Sequence, residues 1–107
     1  LVLLAGQRAS VAAGQHKKVI MWGVDTSDWS RPGTGRIVKS VMRGSKAGTI
    51  VLMHDGGGDR SQTIEALKVA LPQLRAEGYK FVTIDQLLAY DDAKALAQEL
   101  ADQQTAE

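Results

Sequence analysis

Hydrophobic residues in this 107-residue chain gather in short continuous runs that alternate with longer, spaced stripes. Three runs are short and mainly apolar: Val19–Val24, Thr49–Met53 and Lys80–Ile84. Runs of this length and composition are typical of strands buried on both faces, as the strands of a parallel sheet are. The pattern therefore predicts three strands.

The spaced stripes predict helices around these strands. The first predicted helix covers residues 1–15, and the second carries a stripe from Ile37 to Met42 and ends at Gly44. The third carries a stripe of Ile64, Leu67, Leu71 and Leu74. The fourth is a short helix that is capped by Asp85 and ends at Tyr90. Ser61 is the candidate N-cap of the third helix, and Pro72 is expected to kink or split it. The order α-β-α-β-α-β-α predicts an α/β fold with a parallel sheet.

Three strands are too few to close a barrel and leave two open sheet edges, so we expect another polypeptide to cover them. The chain begins at Leu1, and we expect it to start partway through a larger protein; the remnant of a secretory signal is the alternative. Residues 91–107 are expected to form a polar tail, helical or disordered, after a structured region over residues 1–90.

Charge and composition exclude several classes of function. With 13 basic and 12 acidic residues the net charge is +1, and no basic stripe indicates a nucleic-acid surface. The absence of cysteine excludes disulfides and thiol catalysis. No apolar run approaches the roughly 20 residues that a transmembrane helix needs.

Ionisable residues follow the first two predicted strands where each run ends, Asp25 after the first and His54 after the second. The C-terminal ends of neighbouring parallel strands lie on one side of the sheet, where active sites are built. Histidine titrates near neutral pH, and a carboxylate beside it favours the imidazolium form. We therefore expect Asp25 and His54 to pair. Asp28 is more typical of a loop or N-cap and is not among the catalytic candidates.

Two ordered motifs, Asp25-Thr-Ser-Asp28-Trp29 and Leu52-Met-His54-Asp55, resemble the last two signature motifs of the polysaccharide deacetylase family, the NodB-homology carbohydrate esterases. Residues 56–63 and 77–83 resemble the closing segments of that family, so the likeness covers about residues 17–88. It implies the C-terminal portion of a distorted (β/α) barrel, with about three βα units. It also implies a metal-dependent hydrolase that removes acetyl groups from N- or O-acetylated sugars.

The same resemblance implies roles for four residues. His54 would be the general acid that protonates the leaving amine or alcohol, and Asp25 would orient and charge it. Leu52 would line the pocket for the acetyl methyl group, and Trp29 would form a wall of the substrate groove.

The family's N-terminal motifs are missing from this sequence: the catalytic-base Asp, the metal-binding Asp, the His-x-x-x-His pair and the Arg-Pro motif. Arg31-Pro32-Gly33 follows the Asp-Trp motif and is interpreted as a turn. We expect a divalent metal, zinc, with all its ligands on an absent N-terminal part of the same domain, and none on this chain. The chain alone is then expected to be inactive. Its expected partners are that N-terminal part and an acetylated polysaccharide, in the bacterial cell envelope or outside the cell.

Structural roles remain as alternatives: His54 as a loop histidine, and Trp29 and Leu52 as core residues. The glycines after His54 could cradle a phosphate, but no Lys with Ser or Thr follows at P-loop spacing. His54-Asp55 could belong to an HD-type phosphohydrolase, but those sites are helical and need further histidines. A non-catalytic glycan-binding module with a deacetylase-like fold is the alternative from another functional class.

Overall fold

A computed structural model describes residues 13–105, and the side chains of residues 13–104. Its elements, in chain order, are β1 (Val24–Asp25), a 3₁₀ helix (Asp28–Ser30), α1 (Thr34–Gly44), β2 (Val51–Leu52), α2 (Ser61–Ala76) and α3 (Ile84–Thr105). The helix expected over residues 1–15 lies almost wholly outside the described residues.

The two strands form a parallel pair, with Val24 opposite Val51 and Asp25 opposite Leu52. The Thr26 hydroxyl extends this pairing by donating to the carbonyl oxygen of Leu52 at 3.0 Å. Because α1 lies between them in the chain, the arrangement is a β-α-β unit, which confirms the predicted parallel α/β pairing. The unit brings the C-terminal ends of β1 and β2 side by side.

A small core lies where α1 packs on α2. Val41 of α1 contacts Ala70 and Leu74 of α2, and Val51 and Tyr79 pack against this cluster. Alanine at the contact lets the helices approach closely. The packing holds the first turn of α2 close to the ends of the strands.

The apolar stripe predicted for α2 is not the face that it buries. The buried residues of α2 are Thr63, Ala66, Ala70 and Leu74, whereas Ile64 and Leu71 of the predicted stripe are exposed. The helix is rotated so that Thr63 contacts the buried carboxylate of Asp28, and the alanines follow on the same side. The stripe prediction was therefore wrong for Ile64 and Leu71.

The ends of α2 also differ from expectation. The N-cap position is Arg60, not Ser61, and the Ser61 amide donates to Oδ1 of Asp59 at 2.9 Å. The helix continues through Pro72 without splitting. A capping box begins α3. The Thr83 amide donates to the side-chain oxygen of Gln86 at 2.9 Å, and the Gln86 amide donates to the Thr83 hydroxyl at 3.2 Å.

Helix α3 is therefore capped by Thr83 and not by Asp85 as expected, and it continues past Tyr90 to Thr105. From residue 89 to residue 104 its side chains are exposed. No helix within residues 13–105 has the length and apolar character needed to cross a bilayer.

The predicted strands are shorter than expected or not formed. Residues 19–23 precede β1 without joining it, and Met21 is 62% exposed. Residues 80–83 belong to no helix or strand, and Val51 and Phe81 are among the residues that line a cleft of about 300 Å³. A strand needs ladder hydrogen bonds to a neighbour. In the first segment the Gly23 amide donates to the Ile50 carbonyl at 2.9 Å, next to the β1–β2 pair, and residues 80–83 lie beside no strand of the described structure. The third predicted strand is therefore wrong for the described structure.

Candidate active site

A buried carboxylate and a half-exposed imidazole are hydrogen-bonded to each other where the two strands end. Nδ1 of His54 lies 2.7 Å from Oδ1 of Asp28, and the backbone amide of His54 donates to Oδ2 at 2.7 Å. The Asp28 side chain is fully buried, whereas 39% of the His54 side chain is exposed. The carboxylate therefore holds the ring from inside the protein while part of the ring faces solvent.

The environment of Asp28 keeps its carboxyl group ionised. Burial raises the pKa of Asp28, but hydrogen bonds from the side chain and the backbone of His54, and from Thr63, outweigh burial and lower the pKa from 3.8 to about 2. An ionised carboxylate accepts hydrogen bonds and donates none, so Nδ1 of His54 must carry the proton that they share. Nε2 is then the ring nitrogen left to exchange a proton with a ligand.

A tight turn after β1 places Asp28. Ser27 and Arg31, on either side of the 3₁₀ helix, have left-handed backbone conformations, with φ of 50° and 53°. Oδ1 of Asp25 accepts a hydrogen bond from the Ser27 amide at 2.9 Å, and the Ser30 hydroxyl donates to the Ser27 carbonyl at 2.6 Å. Such conformations are uncommon outside glycine and are typical of functional sites. The turn directs Asp28 back toward the end of β2.

The expected pairing of Asp25 with His54 is replaced by the pairing of Asp28 with His54. Side chains alternate along a strand, so Asp25 points away from the buried face that Val24 and Thr26 share, and it is exposed. Its carboxylate shapes the turn by holding Ser27. Asp28 is expected from the sequence to be a loop or N-cap residue. Its spacing of three positions from Asp25 could have indicated a site residue, because a single turn of helix after a strand brings the third residue back beside the end of that strand.

The two residues expected to contact substrate flank this pair in the sequence. Trp29 directly follows Asp28 and is 60% exposed. Leu52 is half-buried at the end of β2, two positions before His54. Trp29 is therefore not part of the core of the described structure.

Two contacts tie the loops around the pair to each other and to α2. Arg31 and Asp59 form an ion pair of 3.3 Å between the loop after β1 and the loop after β2. The side-chain oxygen of Gln62 accepts a hydrogen bond from the Gly33 amide at 2.8 Å. The first turn of α2 therefore helps to hold the segment that carries Asp28.

Known proteins resemble this chain in sequence and in structure, although no family model matches it. A peptidoglycan-N-acetylglucosamine deacetylase from Bacillus cereus is 49% identical over 78 residues, covering 73% of this chain and 37% of that protein. A chitooligosaccharide deacetylase from Bradyrhizobium sp. is 38% identical over 97 residues, covering 80% of this chain and 42% of that protein. A CE4 family pseudoenzyme from Bacillus anthracis superposes with a TM-score of 0.65 at 40% identity, over 74% of this chain and 27% of that one.

The chain belongs to the NodB-type polysaccharide deacetylase family. This confirms the resemblance of the two motifs. The chain spans less than half the length of these relatives and corresponds to the C-terminal part of the polysaccharide deacetylase fold.

Polysaccharide deacetylases are generally metal-dependent, so we tested whether the residues of this chain could bind a metal ion. Among residues 13–105, no three His, Cys, Asp or Glu side chains converge as ligands would. His54 offers one free ring nitrogen, because Nδ1 is bonded to Asp28. A stable site needs three or four protein ligands, so the described residues do not form one.

Proposed function

We propose that this chain supplies the general-acid half of the active site of a metal-dependent polysaccharide deacetylase, which hydrolyses acetyl groups from N- or O-acetylated sugars. The observation that carries the proposal is the 2.7 Å contact between the buried, ionised Asp28 and the half-exposed ring of His54. It is the arrangement that a general acid requires, with one ring nitrogen fixed and the other open to a ligand.

In this proposal, His54 protonates the leaving group. Hydrolysis breaks the bond between the acetyl carbon and the sugar nitrogen or oxygen, and the leaving atom needs a proton to depart as an amine or alcohol. Nε2 of the imidazolium delivers that proton. Asp28 fixes the ring through Nδ1 and stabilises its positive charge, which is the role that a carboxylate plays beside a catalytic histidine. Asp28 takes the place that the sequence suggested for Asp25.

Trp29 and Leu52 are the proposed substrate contacts. The faces of sugar rings present C–H bonds, which pack well on an exposed indole such as that of Trp29. The apolar side chain of Leu52 suits the methyl of an acetyl group. We propose the N-acetylglucosamine of peptidoglycan as the substrate, because the Bacillus cereus relative that matches at 49% identity bears that activity in its name.

The rest of the proposed site lies outside this chain. We propose that an N-terminal part of the same domain supplies the catalytic base, the ligands of a divalent metal, zinc, and the remaining strands of a distorted (β/α) barrel, to which this chain adds β1 and β2 with their helices. The exposed Val19, Met21, Trp22 and Phe81 support such a partner, because apolar surface of this kind is usually covered. Residues 91–107 would then be an appended tail. We propose a location in the bacterial cell envelope or outside the cell.

The test uses a completed domain, in which this chain is joined to the N-terminal part of the Bacillus cereus relative. We expect this domain, with zinc, to release acetate from N-acetylglucosamine oligomers. His54→Ala should reduce kcat by at least 10²-fold, the scale of general acid catalysis. His16→Ala is the matched control, because it removes the chain's other, exposed histidine and should leave kcat unchanged. Equal activity of the two variants would refute the assigned role of His54.

One comparison favours a second function, a glycan-binding module without catalysis. The Bacillus anthracis protein that superposes on this chain is described as a pseudoenzyme. The completed domain separates the two functions: binding of peptidoglycan oligomers with no acetate release, under zinc or cobalt, would support the module.

A further inference from the structure

Thr63, in the first turn of α2, hydrogen-bonds the Asp28 carboxylate that holds the His54 ring. It is a buried residue of α2 with 3% of its surface exposed, and its hydroxyl donates to Oδ2 of Asp28 at 2.8 Å. Thr63 ends the segment of residues 56–63 that resembles a closing segment of the family, but that resemblance implies no role for it. Its side chain contacts the carboxylate and not the imidazole.

The two oxygens of Asp28 have different partners. Oδ1 bonds the His54 ring, while Oδ2 accepts two hydrogen bonds, from the His54 amide and from the Thr63 hydroxyl. The His54 amide belongs to the same residue as the ring, so it cannot hold the carboxylate independently of that residue. Thr63 is the donor that ties the carboxylate to a separate, packed helix.

The position of Thr63 in α2 adds to this effect. Thr63 lies in the first turn of a 16-residue helix whose Ala70 and Leu74 are packed in the core. The N-terminus of a helix favours a negative charge nearby, which is consistent with an ionised Asp28. The helix therefore offers a rigid support as well as a hydrogen bond.

We propose that Thr63 is a positioning residue for proton transfer, holding the Asp28 carboxylate in the orientation that aims the His54 ring. The inference rests on the proposed general-acid function. Without the hydroxyl, the buried carboxylate keeps one donor on Oδ2, and its plane is free to rotate away from Nδ1. The γ-methyl of Thr63 fills space but does not position the carboxylate.

The experiment compares Thr63→Val, which keeps the shape and removes the hydroxyl, with Thr63→Ser, which keeps the hydroxyl. In the completed domain we expect Thr63→Val to lower kcat about tenfold with KM changed less than about twofold, the effect of one hydrogen bond to a charged group. Thr63→Ser should stay within about twofold of the parent in kcat. Carbon-13 NMR of the Asp28 carboxyl should show its pKa rising in Thr63→Val, because a hydrogen bond that lowers it is lost.

Thr26→Val is the matched control for the loss of a buried threonine hydroxyl. The Thr26 hydroxyl donates to the Leu52 carbonyl and does not contact Asp28. This variant should lower the melting temperature and leave the titration of Asp28 in place. A general loss of stability would thus be distinguished from a loss of positioning.

Two results would overturn the inference: an unchanged Asp28 titration in Thr63→Val, or a kcat loss that Thr63→Ser shares in full. If the completed domain proves inactive in every form, the proposed function fails. The proton NMR signal of His54 Nδ1 then tests whether Thr63 holds the Asp28 carboxylate against the ring. That signal should be sharp in the parent and in Thr63→Ser, and broadened by exchange in Thr63→Val. A sharp signal in Thr63→Val would refute the claim.

Discussion

The carboxylate of Asp28 joins three parts of the chain that are distant in sequence. It follows β1, bonds both the backbone and the ring of His54 beyond β2, and accepts a hydrogen bond from Thr63 in α2. A buried charge is costly unless it is paired and hydrogen-bonded, and here three donors satisfy it. The residue that orients the proposed acid is therefore also a structural link.

Replacing this carboxylate by an amide tests that double role. We expect Asp28→Asn in the completed domain to reduce kcat by at least 10²-fold, because a neutral amide cannot stabilise the imidazolium of His54. Asp25→Asn keeps the oxygen that accepts from Ser27, and it should cost no more than about threefold. Acetate release measures both. A larger loss in Asp25→Asn than in Asp28→Asn would restore the pairing that the sequence suggested.

Asp28 should also make stability depend on pH. Its pKa, about 2 when folded, lies below the ordinary value of 3.8, so the folded state binds the proton less tightly than the unfolded state. The stabilisation is therefore present above about pH 4 and is lost as pH falls toward 2. We expect the free energy of unfolding in urea to decline over that range, with a shallower decline in Asp28→Asn. Parallel declines would contradict the assignment.

At this scale the sequence predicted that His54 lies just beyond the second strand, where the structure has it, but paired it with Asp25 instead of Asp28. The hydrophobic pattern shows which ionisable residues directly follow an apolar run, and Asp25 and His54 are two such residues. The turn that brings Asp28 inward depends on Ser27 and Arg31 adopting positive φ, a conformation that neither residue type favours and that a hydrophobic pattern does not encode. Thr63 was missed because its partner is 35 residues away.

Among the elements, α1 and β1 approach each other closely at Gly44. A Cβ placed on this last residue of α1 would overlap the side chain of Val24 in β1. Gly35, near the start of the same helix, has open space where a Cβ would lie. Helix α1 thus contains one glycine that close packing requires, Gly44, and one that packing does not require, Gly35.

Alanine at these two positions should have opposite effects. Gly44→Ala is expected to destabilise the completed domain by about 1–3 kcal/mol, the cost of overpacking. Gly35→Ala should stabilise it by up to about 1 kcal/mol through helix propensity. Urea denaturation monitored by circular dichroism measures both. Destabilisation of similar size in the two variants would show that the contact with Val24 is not the cause.

Helices were easier to predict than strands for a physical reason. The hydrogen bonds of α1, α2 and α3 are internal, so local spacing and turn residues suffice to indicate them. A strand exists through its neighbours, and residues 80–83 have no strand beside them in the described structure. The buried face of α2 was also missed, because alanines at the helix contact carry a weaker hydrophobic signal than Ile64 and Leu71.

At the largest scale, the described part of the chain is more extended than a compact domain of similar length. Its radius of gyration is 17.6 Å, against about 13 Å for a compact domain of 100 residues. Exposed apolar side chains such as Met21, Trp22 and Phe81 lie outside the small core. The sequence anticipated this openness, because three strands cannot close a barrel. It left the polar tail after residue 90 as helical or disordered, and within the described residues the tail continues α3 as an exposed helix to Thr105.

Covering the apolar surface should change how the chain behaves in solution. We expect the chain alone to bind the dye ANS with strong fluorescence, because residues 19–22 and 81–82 expose apolar side chains. In the completed domain the fluorescence per molecule should fall several-fold. The variant Met21→Lys is a useful comparison, because replacing an exposed apolar side chain by a charged one should weaken dye binding by the chain alone. Equal fluorescence from the chain and the completed domain would mean that the N-terminal part does not cover this surface.

The loop of residues 55–59 is exposed throughout and is anchored at both ends, by the bond from the His54 amide to Asp28 and by the bond from the Ser61 amide to Asp59. Its middle contains Gly57 and Gly58, both at positive φ. Insertions between these anchors would lengthen the loop without displacing the imidazole. If the proposed function holds, this loop is a place beside the general acid where the shape of the substrate groove, and with it the choice of glycan, could change while the imidazole keeps its position.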